Sequence, residues 1–245
     1  MAADNTNTES KKSKKVVVQR EAARVPRFSD LPLEARHQFE KLKSSVILQR
    51  RNQEAKSILF SSYNHGEGTS TIVLNFAESL AEDRNYNILI VDANTRTPCL
   101  HEIVNLHSPC DNVVFSDILT QQVAEAALPR PSAASNLCLV PSGTITAHPS
   151  QIFDHTQFQN FVDRVTKLFD FVIFDSSPIG QYYDSIVLAS HVDGVMLIVQ
   201  AEKTPFHEVR RAKQMLEDKN ISTLGVILNR RRFRIPQFIF RKLLR

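Results

Sequence analysis

Six short apolar runs, separated by segments with helical spacing, constrain the fold of this chain more than any other feature. The runs are rich in β-branched residues and almost continuously apolar, which is typical of strands buried on both faces of a parallel sheet. Helical patterns lie between most of them, at roughly 70–84, 151–168 and 205–219. We therefore predict an α/β fold with a doubly wound, mostly parallel sheet and helices on both faces. The six runs are SILFSS (57–62), NILIVDA (87–93), LCLVPSG (137–143), FVIFDSS (171–177), GVMLIVQ (194–200) and LGVILN (224–229).

One domain is expected to occupy most of the 245 residues. Residues 29–235 are predicted to form it, because a segment of this length suits a single hydrophobic core. Apolar residues at helical spacing predict an amphipathic helix over 33–50 at its start. The polar and charged residues 1–28 are interpreted as a disordered N-terminal arm. Residues 236–245 are interpreted as a basic and apolar C-terminal tail.

Positive charge is concentrated at the C-terminus. The formal net charge is +4, and residues 230–245 (RRRFRIPQFIFRKLLR) contain seven basic residues and no acidic residue, so the rest of the chain is mildly acidic. Cations interleaved with bulky apolar side chains favour docking to an anionic membrane surface or to an acidic segment of a partner. The alternative is that the aromatic side chains pack back on the domain while the arginines stay solvated. No nucleic-acid-binding motif accompanies the charge, so we expect no nucleic-acid partner.

Cysteine usage and hydropathy favour a cytoplasmic location. Cys99, Cys110 and Cys138 follow no metal-ligand spacing, and an odd number argues against a disulfide framework. No run approaches the roughly 18 apolar residues of a membrane span, and the N-terminus lacks the apolar core of a signal peptide. We expect a cytoplasmic protein held at the inner face of the cell membrane by a partner or by the basic tail.

The loop after the first predicted strand has the form of a phosphate-binding loop. In HGEGTSTIVLNFA (65–77), Gly66 and Gly68 allow a tight turn whose amide N–H groups can face an anion. The helix that follows adds its positive N-terminal dipole. Ser70 stands where the hydroxyl of such a loop binds Mg²⁺, whereas Thr69 replaces the lysine that reaches the β and γ phosphates. Two glycines alone are equally compatible with an ordinary strand-to-helix turn capped by Thr or Ser.

Polar residues end three further apolar runs. Asp92 ends NILIVDA, and Asp175 lies at the end of FVIFDSS. Ligands of doubly wound sheets bind beyond the carboxyl ends of the strands, where a carboxylate holds Mg²⁺ directly or through water. Either aspartate alone is equally compatible with a turn or helix cap, but together with the glycine-rich loop they indicate a nucleotide site. Asn229 ends the last run and is a candidate to hydrogen-bond a base edge.

These motifs, in this order, resemble those of the bacterial tyrosine kinases of capsule and exopolysaccharide synthesis. Those kinases belong, with the septum-site and partition ATPases, to the deviant P-loop ATPases. The loop SSYNHGEGTSTIVLNFA, the segment VDANTRTPCLH and the segment DFVIFDSSPI resemble the family's loop, second acidic motif and Walker B motif. The resemblance covers roughly residues 33–235. It implies a P-loop NTPase-like fold, ATP and Mg²⁺ as ligands, and a membrane polysaccharide co-polymerase, or chain-length regulator, as partner.

The resemblance also assigns roles to individual residues. Asp92 and Asp175 are the implied catalytic residues, as general base and Mg²⁺ holder, and Ser70 joins them as a metal ligand. The nucleotide-binding residues are Gly66, Glu67, Gly68, Thr69, Ser70, Thr71 and Asn229.

Several positions depart from the family pattern. The loop lysine is Thr69, the second lysine of the partition ATPases is replaced by Asn64, and the second aspartate of the acidic motif is Asn94. The C-terminal tyrosine cluster that accepts phosphate in the family is absent, since the four tyrosines of this chain lie elsewhere, at positions 63, 86, 182 and 183. The N-terminal oligomerisation motif is barely matched, although a homo-oligomer remains an expected partner.

Loss of the lysine is the departure with the largest expected consequence. Phosphoryl transfer needs positive charge on the β and γ oxygens, so we expect a rate lower by roughly 10²–10³-fold. Arg96 or an arginine of a neighbouring subunit is a candidate substitute. Three hypotheses remain: a degenerate kinase that binds ATP and regulates polysaccharide synthesis or export; an active ATPase or tyrosine autokinase that uses a substitute cation; and an α/β scaffold that binds no nucleotide.

Overall fold

A computed structural model describes residues 25–53, 55–103, 113–120, 127–132, 135–143 and 155–231. The described residues form a six-stranded sheet in the order β3-β2-β4-β1-β5-β6, and all five pairs of neighbouring strands are parallel. Each strand coincides closely with one of the apolar runs, so the predicted doubly wound sheet is confirmed. The strands are β1 (Ser57–Ser62), β2 (Ile88–Ala93), β3 (Leu137–Val140), β4 (Phe171–Ser176), β5 (Gly194–Gln200) and β6 (Thr223–Asn229).

Helices connect the strands, as the spacing of apolar residues predicted. The 3₁₀ helix Phe28–Asp30 precedes the first α-helix. The predicted helices at 33–50, 70–84 and 205–219 are present with slightly different ends; of the one at 151–168, residues 151–154 lie outside the described residues. The α-helices are α1 (Leu33–Gln53), α2 (Thr69–Glu82), α3 (Leu100–Ile103), α4 (Phe115–Thr120), α5 (His155–Leu168), α6 (Asp184–Ala189) and α7 (Phe206–Glu217).

The hydrophobic core has two layers because the sheet is covered on both faces. Alternate residues of a strand point to opposite faces, and in β1 Leu59 packs in one layer while Ile58 and Phe60 pack in the other. The Leu59 layer contains residues of α4, α5, α6 and α7, and the Ile58 layer contains residues of α1 and α2. Burial on both faces explains why the strands have nearly continuous apolar sequences.

The folded domain extends upstream of the predicted boundary at residue 28. Phe28 is only 3% exposed, and its ring packs edge-on against Phe39 of α1 at 6.1 Å between centroids. Its backbone N–H donates to Glu78 Oε2 of α2 at 2.8 Å. The arm predicted to be disordered is thus too long by at least residues 25–28, because an aromatic anchor fixes them to α1 and α2. Residues 1–24 and 232–245 lie outside the described residues, and the second range includes the whole predicted C-terminal tail.

The helices were also considered as candidates for crossing a membrane. Within the described ranges, none combines the length and the apolar character that a membrane span requires.

Candidate functional site

Three neighbouring strands bring the predicted site residues to one edge of the sheet. In the register of β2 and β4, Asp92 lies directly opposite Asp175, and neighbouring strands are about 4.8 Å apart. The glycine-rich loop leaves β1, the next strand along the sheet. The structure therefore places the loop and both aspartates together, although more than 80 residues separate the two aspartates along the chain.

The loop has the backbone conformation that binds an anion in a phosphate-binding loop. Gly66 and Gly68 have φ angles of 80° and 95°, in the left-handed region that favours glycine. α2 begins directly afterwards at Thr69. The first N–H groups of a helix have no acceptor within the helix, and the positive end of the helix dipole lies at the same point. The turn and the helix start together form a cradle for phosphate oxygens.

Glu67 holds the loop in this shape. Its carboxylate is almost fully buried, with 3% of the residue exposed. One oxygen accepts the backbone N–H groups of Tyr63 at 3.1 Å and Asn64 at 3.3 Å, and the other accepts the hydroxyl of Thr204. The Asn64 side chain in turn donates to Glu208 Oε2 of α7. Glu67 therefore ties the loop to itself and to the segment between β5 and α7.

Asn229 fixes the loop from the end of β6. Its Nδ2 donates to the backbone oxygen of Glu67 at 2.8 Å, and its Oδ1 accepts the backbone N–H of Arg230 at 2.8 Å. The sequence suggested that this side chain contacts a base edge. In the structure both ends of the carboxamide contact the protein, which gives Asn229 a positioning role in the loop.

The two loop glycines provide a matched pair for testing the Asn229 contact. A Cβ on Gly68 would lie 2.4 Å from Asn229 Nδ2, whereas a Cβ on Gly66 meets nothing within 4 Å. Because both residues are left-handed, alanine at either position should lower the free energy of unfolding by about 1–2 kcal/mol. Gly68→Ala should lower it by about 1 kcal/mol more, because it displaces the Asn229 carboxamide. Urea unfolding of the two variants checks this, and equal effects would contradict it.

Asp92 is a buried carboxylate whose loss of hydration is partly offset by hydrogen bonds from the backbone. It is inaccessible to solvent, and its oxygens accept the backbone N–H groups of Asn94 at 3.2 Å and Leu100 at 3.1 Å. Burial raises the pKa of Asp92 to about 6, although these hydrogen bonds and the charge of His101 favour the ionised form. Asp92 is therefore poised to change its charge near neutral pH or when a cation arrives.

Asp175 is also buried, but no backbone hydrogen bonds of this kind from the described residues offset its loss of hydration. Neither of its oxygens has a hydrogen-bond partner of normal geometry among the described residues. Burial, reinforced by the charge of Asp92, raises the pKa of Asp175 well above its usual value, while the neighbouring Ser70 hydroxyl favours the ionised form. Buried polar atoms are normally satisfied, so two unsatisfied carboxylate oxygens beside a second carboxylate fit a site for a hard cation.

The chemistry of these donors suits Mg²⁺. This ion takes oxygen ligands and is typically held by one or two carboxylates together with phosphate oxygens and water. Asp92, Asp175 and Ser70 would supply two carboxylates and a hydroxyl beside the loop. No cluster of three or more His, Cys, Asp or Glu side chains is present in the described part of the chain.

A cavity of about 390 Å³ lies against the loop. Gly66, Gly68, Thr69, Ser70 and Thr71 line one side of it, so five of the predicted nucleotide-binding residues face the same space. No lysine or arginine is present among its lining residues, all of which belong to the described part of the chain. The described lining therefore contains the residues of a phosphate-binding loop but no basic side chain that could contact a phosphate. The other lining residues are Val25, Ser62, His65, Asn94, Thr97, Pro98, Cys99, Ser176 and Pro178.

Arg96, the candidate substitute cation, is engaged elsewhere. Its Nη2 forms an ion pair with Asp184 Oδ2 at 2.5 Å, and its guanidinium stacks on the Tyr182 ring at 4.9 Å from the centroid. Arg96 is not among the residues that line the cavity. Asn94, which replaces an aspartate of the family motif, accepts the hydroxyl of Ser177 at 2.8 Å through Oδ1. Asn94 thus links the end of β2 to the end of β4, and Arg96 links the segment after β2 to the start of α6.

The carboxylate pair should make the metal-free protein less stable as pH rises. In the unfolded chain aspartate ionises near pH 3.9, whereas in the folded protein the pKa of Asp92 is about 6 and that of Asp175 is also raised. Above pH 4 the folded state retains protons that the unfolded state has released, so the free energy of unfolding falls as pH rises to about 6 and beyond. Urea unfolding in EDTA measures this.

The control for the pH experiment is the double variant Asp92→Asn/Asp175→Asn. It keeps the other titrating groups, so its pH profile isolates the contribution of the pair. A wild-type profile parallel to that of the double variant would contradict the prediction.

The structure adds positioning residues that the sequence did not reveal. Thr204 and Glu208 contact the loop from the β5–α7 segment, and Asn75 Nδ2 of α2 donates to the backbone oxygen of Pro26 at 3.2 Å. Asn75 belongs to the loop-and-helix segment that resembles the family motif, but the sequence did not show that it contacts Pro26. Thr204 precedes a proline at a helix start, a pattern that indicates a cap and not a contact with a loop more than 130 residues away.

Comparison with known proteins agrees with this geometry. Residues 55–221 match the family model described as an AAA domain. The chain is similar to the tyrosine-protein kinase CpsD of Streptococcus agalactiae, with 30% identity over 193 residues that cover 75% of this chain and 79% of that protein. Residues 55–221, which match the family model, contain the loop, both aspartates and strands β1 to β5.

Solved structures give the same result. The chimerical protein CapA2B2 is 28% identical, with a TM-score of 0.69 over 80% of this chain and 84% of that chain. The kinase domain of the Escherichia coli tyrosine kinase ETK also has a TM-score of 0.69, over 91% of this chain and 89% of that chain, at 16% identity. The second likeness concerns the fold alone.

Proposed function

The chain belongs to the AAA domain family and, within it, to the bacterial tyrosine-protein kinases that CpsD represents, and we propose that it is a kinase-like ATP-binding protein with slow phosphoryl transfer. Its role is to regulate the synthesis or export of an exopolysaccharide or capsule together with a membrane co-polymerase. ATP with Mg²⁺ is the ligand of the loop. The protein acts at the inner face of the cell membrane.

One observation carries the proposal: a buried carboxylate pair lies beside the glycine-rich loop, and no lysine or arginine is among the described residues that line the adjacent cavity. The two unsatisfied oxygens of Asp175 are an unfavourable arrangement in a protein that binds no cation. The left-handed Gly66 and Gly68 and the buried Glu67 keep the loop in its binding shape. These features favour retained binding of a metal–phosphate group over an empty scaffold.

We assign the following roles to the residues around the loop. Backbone N–H groups of residues 66–71 would receive phosphate oxygens, and Ser70, Asp92 and Asp175 would hold Mg²⁺, which would supply positive charge to the phosphates. Asp92 is also the proposed acceptor of a proton from an attacking hydroxyl, the role that the family resemblance assigns to it. With Thr69 in place of the lysine, the transition state receives less positive charge than in an intact loop, so nucleotide binding persists while transfer is slow.

The partner and the location rest on the resemblance to kinases of capsule and exopolysaccharide synthesis. A membrane co-polymerase would bring the domain to the membrane, and the basic and apolar residues 230–245 suit its acidic cytoplasmic segment or the anionic lipid surface. Self-association is part of the same proposal. Loss of membrane or co-polymerase binding on deletion of residues 232–245 supports the role of the tail, and unchanged binding excludes it.

A second candidate function is an active ATPase or tyrosine autokinase that uses a substitute cation. The intact Asp92 and Asp175 pair favours it, because both carboxylates needed for phosphoryl transfer are in place. This function requires rapid phosphoryl transfer, whereas the first proposal requires ATP binding with slow transfer.

Titration calorimetry and a kinase assay on the full chain separate these functions. ATP binding that strengthens with Mg²⁺, together with little phosphotyrosine, supports the degenerate kinase. Rapid autophosphorylation on tyrosine supports the active enzyme. Absence of any ATP binding with and without Mg²⁺ excludes both and leaves the scaffold.

A further inference from the structure

β6 forms one edge of the sheet, and among the described residues it pairs only with β5. The backbone oxygen of Asn229 accepts the N–H of Ala201 at 2.9 Å, so the backbone groups of residue 229 point toward β5. Because the backbone groups of successive strand residues point alternately to the two sides, those of Val226 and Leu228 point away from β5. Such an edge is a template for pairing with another extended chain.

The described helices contact only the start of this edge. The backbone oxygen of Leu224 accepts a hydrogen bond from Gln49 Nε2 of α1 at 2.7 Å, so the first residues of β6 have a partner on their outer side. Further along the strand, Val226 and Leu228 are each 53% exposed. The second half of β6 therefore presents outward backbone groups together with apolar side chains.

α7 borders this part of β6. Its Glu208 accepts a hydrogen bond from Asn64, which follows β1 on the side of β5 that is away from β6. Successive residues of an α-helix are about 100° apart around its axis. Phe206, two positions before Glu208, therefore lies on the opposite flank of α7, toward β6. Its side chain is 78% exposed.

These exposed apolar side chains share one face of the sheet. Val226 lies opposite Leu197 in the register of β5 and β6, so both side chains point to the same face. Leu197 packs in the same core layer as Leu216 of α7. Leu228 points to this face as well, because alternate residues of a strand share a face. Phe206, Val226 and Leu228 thus form an exposed apolar surface, which we call the β6–α7 groove.

Positive charge surrounds the β6–α7 groove. Of the charged residues in 202–213 and 230–231, six are basic and two are acidic, and one of the two acidic side chains is hydrogen-bonded to the loop after β1. Arg210 is exposed and follows Phe206 by four residues, so the two lie on the same stripe of α7. An exposed apolar surface with a charged rim marks an interaction site, and the sign of this rim suits an acidic partner.

We propose that the β6–α7 groove binds an extended acidic segment of a partner protein, which adds a strand to the sheet beside β6. The backbone of the segment pairs with Val226 and Leu228, its apolar side chains enter the groove, and its carboxylates face the surrounding cations. The inference goes beyond the nucleotide site and does not depend on ATP binding.

A peptide fits the groove better than a lipid surface does. Only another backbone supplies donors and acceptors at the spacing of the outward groups of Val226 and Leu228. A lipid surface would interact with the cations and with Phe206, but it would leave the peptide groups of the edge without regular partners. The edge strand therefore decides between the two kinds of anionic partner.

The probe is a fluorescent peptide of nine residues, in which three central valines are flanked on each side by three glutamates. Fluorescence anisotropy with the full chain should show binding that weakens as salt is added, because the exposed charges are screened. The same peptide with lysine in place of glutamate should not bind. Equal binding of both peptides, or binding of neither, would overturn the inference.

Val226→Pro tests the backbone pairing. It removes the outward N–H of residue 226 without removing a bond to β5, so it should weaken binding of the acidic peptide by about 10-fold. Val226→Thr keeps the N–H and the branched shape, so it should retain most of the affinity. Equal affinities of the two variants, with both shown to be folded by circular dichroism, would contradict strand addition.

Leu228→Ser and Phe206→Ser test the apolar contacts. Each should weaken binding of the acidic peptide by about 10-fold, because apolar area that the peptide buries is lost. Leu33→Ser is the matched control, since Leu33 is 71% exposed on α1, which covers the other face of the sheet. Equal effects of all three substitutions would show non-specific adsorption of the peptide and overturn the groove.

Arg210→Glu tests the charge. It should weaken binding of the acidic peptide by about 10-fold at low salt. Lys41→Glu makes the same change of charge at an exposed position of α1 and should have little effect. If both variants lose affinity equally, the attraction comes from net charge and not from the groove.

Three further outcomes identify another occupant and overturn the inference. Binding to phosphatidylserine vesicles that Phe206→Ser abolishes, without peptide binding, assigns the surface to a membrane. Peptide binding that appears only after deletion of residues 232–245 assigns it to this chain's own C-terminal segment. Self-association that Leu228→Ser abolishes, without peptide binding, assigns it to a second copy of the chain.

Calorimetry with ATP and Mg²⁺ on the same variants separates this inference from the proposed function. Leu228→Ser and Arg210→Glu should bind ATP as wild type does, because neither residue lines the cavity. If wild type binds ATP but not the acidic peptide, the inference fails and the proposed ATP binding stands. If it binds the peptide through the groove but no ATP, the reverse holds.

Discussion

Thr69→Lys is expected to raise the rate of ATP-dependent phosphoryl transfer by roughly 10²–10³-fold over wild type, since one preorganised charge on the transferring group has about this effect. Thr69 is the first residue of α2, and it lines the cavity between the left-handed Gly68 and Ser70. The cradle, the hydroxyl and both carboxylates are already in place around it. A lysine there supplies the positive charge that is missing from the described lining of the cavity.

The control for this gain is Thr69→Met, which adds comparable length without charge. Turnover is measured as ADP release and as phosphotyrosine, at saturating ATP and Mg²⁺, so that a change of affinity does not imitate a change of rate. A Thr69→Lys rate no higher than that of Thr69→Met would show that the low activity originates elsewhere in the site. Asn94, another departure from the family pattern, is then the next position to restore.

Asp175→Asn is expected to have opposite effects on stability and on ligand binding. In the metal-free protein it removes a buried carboxylate that has no hydrogen-bond partner among the described residues and faces Asp92 across the β2–β4 pair. At pH 8 the free energy of unfolding should rise by about 1.4 kcal/mol for each unit by which folding raises the pKa of this group. For a chain of this size, each kcal/mol of added stability should raise the melting temperature by about 2–4 °C.

The same substitution should abolish the effect of Mg²⁺ on ATP binding, because an amide is a poor substitute for a carboxylate ligand of a hard cation. Thermal unfolding and calorimetry, each with and without Mg²⁺ and ATP, measure both effects on one variant. A variant that is more stable without ligands, and that gains no further stability from ATP with Mg²⁺, is the expected result.

Asp193→Asn is the control for a hydrogen-bonded aspartate outside the site; the residue is exposed, but its carboxylate accepts three hydrogen bonds. Asp193 precedes β5, at the opposite edge of the sheet, where Oδ2 accepts the N–H groups of Lys56 and Ser57 and the hydroxyl of Ser57. Its replacement should lower stability by about 1–3 kcal/mol and leave ATP binding unchanged. If Asp175→Asn behaves like Asp193→Asn, the carboxylate pair is a structural element and not a cation site.

The fold could be predicted from the sequence because strands that are buried on both faces of the sheet are apolar at nearly every position. A strand such as GVMLIVQ is apolar at nearly every position, and the helices between the strands have their own period, so each element is recognisable without its neighbours. Asp92 and Asp175 were recognisable for the same reason, since each interrupts an apolar run at its carboxyl end. The left-handed turns at Gly66 and Gly68 followed from the freedom of glycine at positive φ.

The sequence interpretation was incomplete where contacts between distant segments of the chain determine the structure. The N-terminal boundary was placed too late because a single buried aromatic, Phe28, anchors an otherwise polar segment. Asn229 ends a strand at the ligand edge, as the sequence shows, but only the structure shows that its carboxamide holds the backbone of Glu67; its contact with a base edge stays a prediction. Arg96 resembled a free cation, yet Asp184, 88 residues further along the chain, neutralises it.

The sequence by itself determined the class of fold, the order of elements and the presence of a phosphate loop with two strand-end carboxylates, because these follow from local periodicity and residue type. Only the tertiary structure decided which strands are neighbours. That choice sets Asp92 directly against Asp175 and leaves the latter unsatisfied, which no local pattern encodes. It also decided that the described lining of the cavity contains no lysine or arginine and that Val25 is part of this lining, because both depend on packing between segments distant in the chain.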